Sequence, residues 1–218
     1  PRYGSSAASD VYKRQLIIHL GMSGSLRIAK EENVNKHDHI DICFEDGTIL
    51  RYCDPRRFGC FLWSKHIDTH FLLKNLGPEP LGNSFSGDYL FYKSRKRKVP
   101  IKNFIMNSKV VVGVGNIYAS EALFAAGIRP SCMAGKVPRK KYDLLAKEIV
   151  HILRKSIEEG GTTLRDFVSG DSKPGYFKQS LRVYGREGEE CYECFSIIKG
   201  KRIGQRASAY CPKCQSIF

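Results

Sequence analysis

Four cysteines near the C-terminus come in two pairs, Cys191 with Cys194 and Cys211 with Cys214, with two residues inside each pair and sixteen between the pairs. This is the spacing of a four-thiolate zinc site, in which two short knuckles place four soft sulfur ligands tetrahedrally around one ion. Such a site is closed, so its metal organises structure and does no chemistry itself. It also constrains what lies between the pairs. The stretch from Phe195 to Tyr210 must leave one knuckle and return to the other, which predicts a β-hairpin. That hairpin carries Lys199, Lys201, Arg202 and Arg206. A metal-pinned basic hairpin points to a polyanionic partner, nucleic acid before others.

Charge agrees with that reading. Lys and Arg number 36 against 22 Asp and Glu, a formal net charge of +14, which suits either a solvated basic surface or a polyanion-binding face. No apolar run reaches the length needed to span a bilayer, and no secretory signal is visible. Cys43, Cys53, Cys60 and Cys132 are scattered. Beside a metal-spaced quartet they read as core or incidental thiols in a reducing compartment.

Along the chain, residues 1–15 (PRYGSSAASDVYKRQ) are small and polar without periodicity and read as a disordered or artefactual leader. From Leu16 the pattern is β: LIIHLGMSGSLRI reads strand, glycine turn, strand. Ile40–Phe44 alternates, Asp46-Gly47 signals a hairpin, Thr48–Tyr52 resumes, and Phe61–Trp63 adds a short strand. Residues 16–75 therefore form an antiparallel sheet region. Residues 76–83, rich in Pro and Gly, read as a linker. Helices are expected over Asp88–Lys98, Ile101–Met106, Asn116–Ala126 and Pro138–Glu159, the last from Tyr142, Leu145, Ile149, Ile152 and Ile157 at helical spacing. Residues 161–183 read as a long polar loop of the kind that is usually functional or disordered.

Three further segments carry candidate chemistry. VVGVGNIYASEALF (111–124) has two glycines before Asn116 at a helix start, either a phosphate-binding turn or an ordinary tight turn. It is no dinucleotide fingerprint, since Tyr118 stands where a third glycine is needed. The run Lys93, Arg95, Lys96, Arg97, Lys98 precedes it and suits DNA-backbone contact beside such a turn. In YCDPRRFG (52–59), Arg56 and Arg57 can pair with phosphates or bases, and Phe58 can either wedge into a base stack or fill the core. Met22 in HLGMSGS reads as core filling on its own, and His37 and His39 as phosphate contacts or plain surface.

Taken together, HLGMSGSLRI, KHDHID, DPRRFG, NLGPEPL, VVGVGNIYASEALFAAGIRP, GGTTLRDF, KPGYF, VYGREGEEC and QRASAYCPKCQ resemble the formamidopyrimidine-DNA glycosylase family of the Fpg/Nei superfamily, over Leu16 to Phe218. The resemblance implies an α+β chain: a partial antiparallel β-sandwich (16–75), a helix-two-turn-helix DNA-binding domain (84–186) and a zinc-finger hairpin (187–218) holding one structural Zn2+ on Cys191, Cys194, Cys211 and Cys214. It implies a bifunctional DNA glycosylase and AP lyase of base-excision repair. Such enzymes bend duplex DNA in the cleft between the domains, flip out oxidised purines such as 8-oxoguanine and formamidopyrimidines, and cleave by β,δ-elimination. By the same resemblance Met22, Arg56 and Phe58 fill the space left by the base, with Arg56 facing the orphaned partner. His37, Arg56, Arg97, Lys102, Asn116 and Arg206 contact DNA, and Arg206 takes part catalytically in the second elimination. Lys173, Pro174, Gly175, Tyr176 and Phe177 cap the flipped base. The partner is double-stranded DNA with oxidised purines or abasic sites, bound by a monomer in the bacterial cytoplasm at the nucleoid, with no membrane.

The start departs from the family pattern. Members begin with a Pro-Glu-Leu-Pro-Glu-like sequence whose proline amine attacks the sugar, whereas Pro1 here is followed by Arg2, Tyr3 and Gly4. The expectation is therefore an N-terminally truncated glycosylase that binds damaged DNA without its nucleophile. The alternatives are a non-catalytic zinc-containing DNA-binding protein on the same scaffold, or a zinc-ribbon RNA-binding protein.

Overall fold

A computed structural model describes residues 15–29, 33–159 and 181–218. The chain divides between Lys74 and Asn75 into two compact units.

The first unit holds five strands: β1 (Gln15–His19), β2 (Ser25–Ala29), β3 (Asp38–Cys43), β4 (Ile49–Cys53) and β5 (Cys60–Ser64). They make two antiparallel sheets, β1 with β5, and β4 between β2 and β3. The strand–turn–strand reading of 16–28 is right in its elements, but β1 and β2 do not pair with each other. The turn at Gly21 carries the chain from one sheet to the other. The Asp46-Gly47 hairpin forms as expected: Gly47 N donates to Phe44 O (3.0 Å), and Thr48 N to Asp46 Oδ1 (2.9 Å).

Strand alternation sorts the three-stranded sheet. Leu26, Ile28, Leu50, Tyr52, Ile40 and Ile42 share one face, and Arg27, Arg51 and Asp41 stand in register on the other. Arg51 is buried and donates from Nε and Nη2 to the two Asp41 oxygens at 2.7 Å each, while Arg27 reaches Asp38 at 2.6 Å. Apolar burial is sparse by comparison. Among the described residues of this unit Tyr52 is the one buried hydrophobic side chain, while Ile28 and Trp63 are 68% and 72% exposed. Hydrogen bonds and ion pairs, weak as net stabilisers, therefore do much of the ordering here.

The second unit contains α1 (Gly87–Ser94), α2 (Ile101–Ile105), α3 (Asn116–Ala125), a 3₁₀ turn (Ala134–Lys136), α4 (Arg139–Glu158) and a hairpin of β6 (Lys199–Ile203) and β7 (Arg206–Tyr210). Leu90, Ile101, Ile105, Leu123, Tyr142, Leu145 and Ile149 make its continuous core. The segment expected as a linker packs within this unit, Gly77 N donating to Ser108 O at 2.7 Å. Among the described residues no helix is long and apolar enough to cross a membrane.

Two helical expectations need correction. The helix expected to run to Lys98 ends at Ser94. Arg95 folds back over the Phe91 ring, 3.9 Å from its centroid, and donates to Phe91 O, Ser94 Oγ and Val137 O. Lys96 then adopts φ +62°, which breaks the helix. In α4 the apolar stripe continues from Ile152 to Ser156, not to Ile157, which is 65% exposed. Ile157 lies five residues beyond Ile152, past the stripe. Ser156 is buried there because its hydroxyl meets the Tyr118 hydroxyl at 2.5 Å.

Candidate nucleic-acid interface

In the first unit, the turn bearing Met22 and the turn bearing Arg56 and Phe58 are held on one buried carboxylate, Asp54. Its Oδ1 accepts from Ser23 Oγ (2.8 Å) and Arg56 N (3.2 Å), and its Oδ2 from Tyr52 Oη and Gly59 N (2.9 Å each). Burial alone would raise the Asp54 pKa. The Gly59 N–H, the Ser23 and Tyr52 hydroxyls and the Arg56 N–H outweigh it and hold the carboxyl well below the usual range. The two turns are in direct contact: Gly21 has φ +68°, and a Cβ there would lie 2.7 Å from Phe58 C. Met22 and Phe58 project outward from this base, 54% and 61% exposed. Phe58 is therefore not core filling. His37 borders the same turn through its carbonyl, which accepts Asp54 N at 3.0 Å, and His39 Nε2 lies 3.0 Å from Asp54 O. The structure thus brings Met22, His37, Arg56 and Phe58 to one place.

In the second unit, Arg206 opens β7 and is exposed, and Lys102 lies under the same strand. Lys102 is fully buried. Its Nζ donates to Ser208 Oγ (2.7 Å) and Ala207 O (3.1 Å), which fastens α2 to the hairpin. Burial, with the Arg206 guanidinium nearby, lowers its pKa to about 8. The hairpin turns on Gly204 and Gln205, φ +53° and +63°, and a Cβ on Gly204 would collide with the Asn103 side chain. The tip is therefore seated on α2, with the guanidinium of Arg206 left outside. Asn103 also lines a groove with Lys93, Arg97, Asn107 and Lys109, which places Arg97 among amides and cations. Asn116 is the first residue of α3, behind an N-cap at Gly115, and its Oδ1 is buried with no hydrogen-bond partner among the described residues. Lys173–Phe177 lie outside the described residues.

The four cysteines converge. Their sulfurs all lie within 4.8 Å of one another, with Cys191 to Cys214 at 3.9 Å and Cys194 to Cys211 at 3.4 Å. A tetrahedral tetrathiolate with metal–sulfur bonds of about 2.3 Å has edges of ~3.8 Å, so the quartet can hold a metal ion. Each knuckle is preformed by the backbone: Phe195 N donates to Cys191 O at 2.8 Å, and Cys214 N approaches Cys211 Sγ at 3.4 Å.

Sequence reasoning missed two anchoring carboxylates. Asp54 lies inside the DPRRFG motif, where attention falls on the arginines. Glu121, on α3, is 3% exposed and accepts from three successive backbone N–H groups, Arg182, Val183 and Tyr184, at 2.8, 3.0 and 2.8 Å. It ties α3 to the turn that enters the cysteine module, whose core includes Val183 and Phe124. A glutamate in an otherwise apolar helical stretch is the one signal that could have found it. Glu121→Ala strands three donors and is expected to cost about 3 kcal/mol. Urea unfolding would show it as a lowered midpoint, with a smaller loss in Glu121→Gln, which keeps one acceptor oxygen.

A family model described as the formamidopyrimidine-DNA glycosylase N-terminal domain matches residues 2–61, and one described as the H2TH domain of the same glycosylase matches residues 76–168. The first match begins inside the segment read from sequence as a leader. The chain is 56% identical over 208 residues to the formamidopyrimidine-DNA glycosylase of Glaesserella parasuis serovar 5, covering 94% of this chain and 76% of that one. It is 59% identical over 201 residues to that of Stutzerimonas stutzeri, covering 92% and 74%. Among solved structures, MutM (Fpg) of Thermus thermophilus superposes with a TM-score of 0.85 at 32% identity, covering 94% and 77% of the two chains. The Lactococcus lactis Fpg in complex with DNA containing an abasic site gives 0.84 at 33%, covering 93% and 75%.

Proposed function

Because this chain belongs to the formamidopyrimidine-DNA glycosylase family, we propose that it acts in base-excision repair by binding duplex DNA at oxidised purines and abasic sites. The observation that carries this reading is the pair of turns on Asp54. A bulky thioether and a bulky ring stand in water on a rigid, hydrogen-bonded base, an arrangement that core packing does not explain and that insertion into a base stack does. Met22 and Phe58 enter the space a flipped base leaves, and the Arg56 guanidinium faces the orphaned partner base.

His37, Arg97, Asn116 and Arg206 contact phosphates. Support for Arg97 is its groove with Lys93 and Lys109. Support for Asn116 is its unpartnered oxygen at a helix start, where its amide can turn to an incoming ligand. Lys102 acts from behind the strand: its charge lies close enough to Arg206 to add to the local potential, while its hydrogen bonds hold the hairpin. Arg206 is the residue we assign to the second elimination. Residues 173–177 are the cap over the base. One structural zinc ion on the four cysteines cross-links the hairpin and does no chemistry. The compartment that fits this substrate is the bacterial cytoplasm, at the nucleoid, with the chain working as a monomer.

The 218-residue polypeptide is expected to bind an abasic-site duplex in preference to undamaged duplex and to RNA. Preference for RNA would overturn the DNA reading.

A further inference from the structure

We propose that the groove between the start of α1 and the middle of α4 docks an acidic segment of a partner protein that carries an apolar anchor residue. None of its residues is among the DNA contacts assigned above. The groove measures about 580 Å³, within the range of ligand-binding clefts. Its floor is apolar: Phe85 and Ala146 are buried, and Val150 is half-buried. One wall carries Lys147, His151 and Arg154, all exposed.

These three follow one another at spacings of four and three, so they share one face of α4 and span about 10 Å of its axis. Among the described residues none of them has a hydrogen-bond or ion-pair partner, although neighbouring cations do: Lys155 pairs with Glu159 and Arg139 with Asp88. Asp143 is the single acid of the lining and lies against Gly87, at the α1 end. The two unpaired positive charges, Lys147 and Arg154, with the His151 imidazole as a hydrogen-bonding group between them along an apolar trough, are complementary to carboxylates spaced along a chain with one hydrophobic side chain between them.

The trough favours protein over nucleic acid. A duplex presents phosphates on a convex, rigid surface and keeps its apolar groups inside the stack or the grooves, so it has no protruding side chain to fill a recessed floor. An extended acidic peptide rises ~3.3 Å per residue, so residues three apart reach from one end of the cationic wall to the other.

The test is fluorescence anisotropy on the full chain. The probes are a fluorescein-labelled oligo-aspartate peptide with a central phenylalanine, the same peptide with serine in that place, and an abasic-site duplex. The phenylalanine peptide is expected to bind, the serine peptide to bind at least about tenfold more weakly, and K147E/R154E to weaken the phenylalanine peptide by about tenfold or more. Duplex affinity should be unchanged in K147E/R154E, which also reports that the variant is folded. Absence of binding by the phenylalanine peptide would overturn the proposal. So would equal binding of both peptides, or insensitivity to the charge reversal. A matching loss of duplex affinity in K147E/R154E would make the groove a DNA contact instead.

Discussion

Replacing Cys211 and Cys214 together by alanine will unfold the hairpin and lower duplex affinity by about a hundredfold or more, the largest loss expected of any substitution in the second unit. The core around the quartet is small: Phe124, Val183, Cys191, Ile198, Ala209 and Cys211. Two of those six belong to the cysteine quartet that can hold a metal ion, so the apolar contacts that remain cannot stabilise sixteen residues of hairpin alone. Binding of a structural zinc ion supplies on the order of 10 kcal/mol that becomes folding free energy. Losing it also releases Ala207 O and Ser208 Oγ from Lys102, which leaves a buried ammonium without acceptors and weakens α2. The helical core of Leu90, Ile101, Leu123, Tyr142 and Ile149 does not use the metal and should persist. The expected outcome is a folded helical unit with no bound zinc by elemental analysis, and duplex binding reduced to the non-specific level. Full duplex affinity in the metal-free double variant would show that the hairpin is not part of the interface.

What was readable in the sequence is what local chemistry dictates. The two-residue spacing inside each cysteine pair and the Asp46-Gly47 turn each depend on residues a few positions apart. What was not readable depends on distant partners. The end of α1 is set by Arg95 reaching Val137, forty-two residues away, and the burial of Ser156 by the Tyr118 hydroxyl. That β1 and β2 belong to different sheets is a matter of strand pairing, which alternation alone does not specify. The site divides in the same way. Met22, Arg56 and Phe58 stand out through their motifs, but Asp54, which makes them one site, is silent in the sequence because only the fold brings Ser23, some thirty residues away, onto the carboxylate that already gathers Tyr52, Arg56 and Gly59. Lys102 enters through the resemblance as a DNA contact, and only the fold reveals that it is buried beneath the hairpin.

Asp54→Ala should disrupt the paired turns that carry Met22 and Phe58, the surface we propose probes lesions, while leaving the four-cysteine module untouched. Ser23 Oγ, Tyr52 Oη, Arg56 N and Gly59 N all lose their acceptor. Stranding buried donors costs about 1–3 kcal/mol each when water cannot replace the acceptor, and this unit has only Tyr52 as a buried apolar side chain among its described residues. A loss of about 3 kcal/mol or more is a large share of the 5–15 kcal/mol typical of a domain. Asp54→Asn tests the charge separately: its amide nitrogen cannot accept, so either the Ser23 and Arg56 pair or the Tyr52 and Gly59 pair is lost.

The pH dependence has a definite sign. The folded pKa of Asp54 lies below its unfolded value of 3.8, so its contribution is fully present above about pH 4 and is lost as pH falls through the folded pKa. The wild-type advantage over Asp54→Ala should therefore hold at neutral pH and shrink progressively below about pH 4. In binding, Asp54→Ala should lose the preference for abasic over undamaged duplex while keeping the zinc and the salt-sensitive affinity of the second unit. The cysteine variant should show the reverse. If Asp54→Ala retained both its acid-side stability profile and its abasic-site preference, the two turns would not owe their geometry to this carboxylate, and the assignment of Met22 and Phe58 as a rigid probe would fail with it.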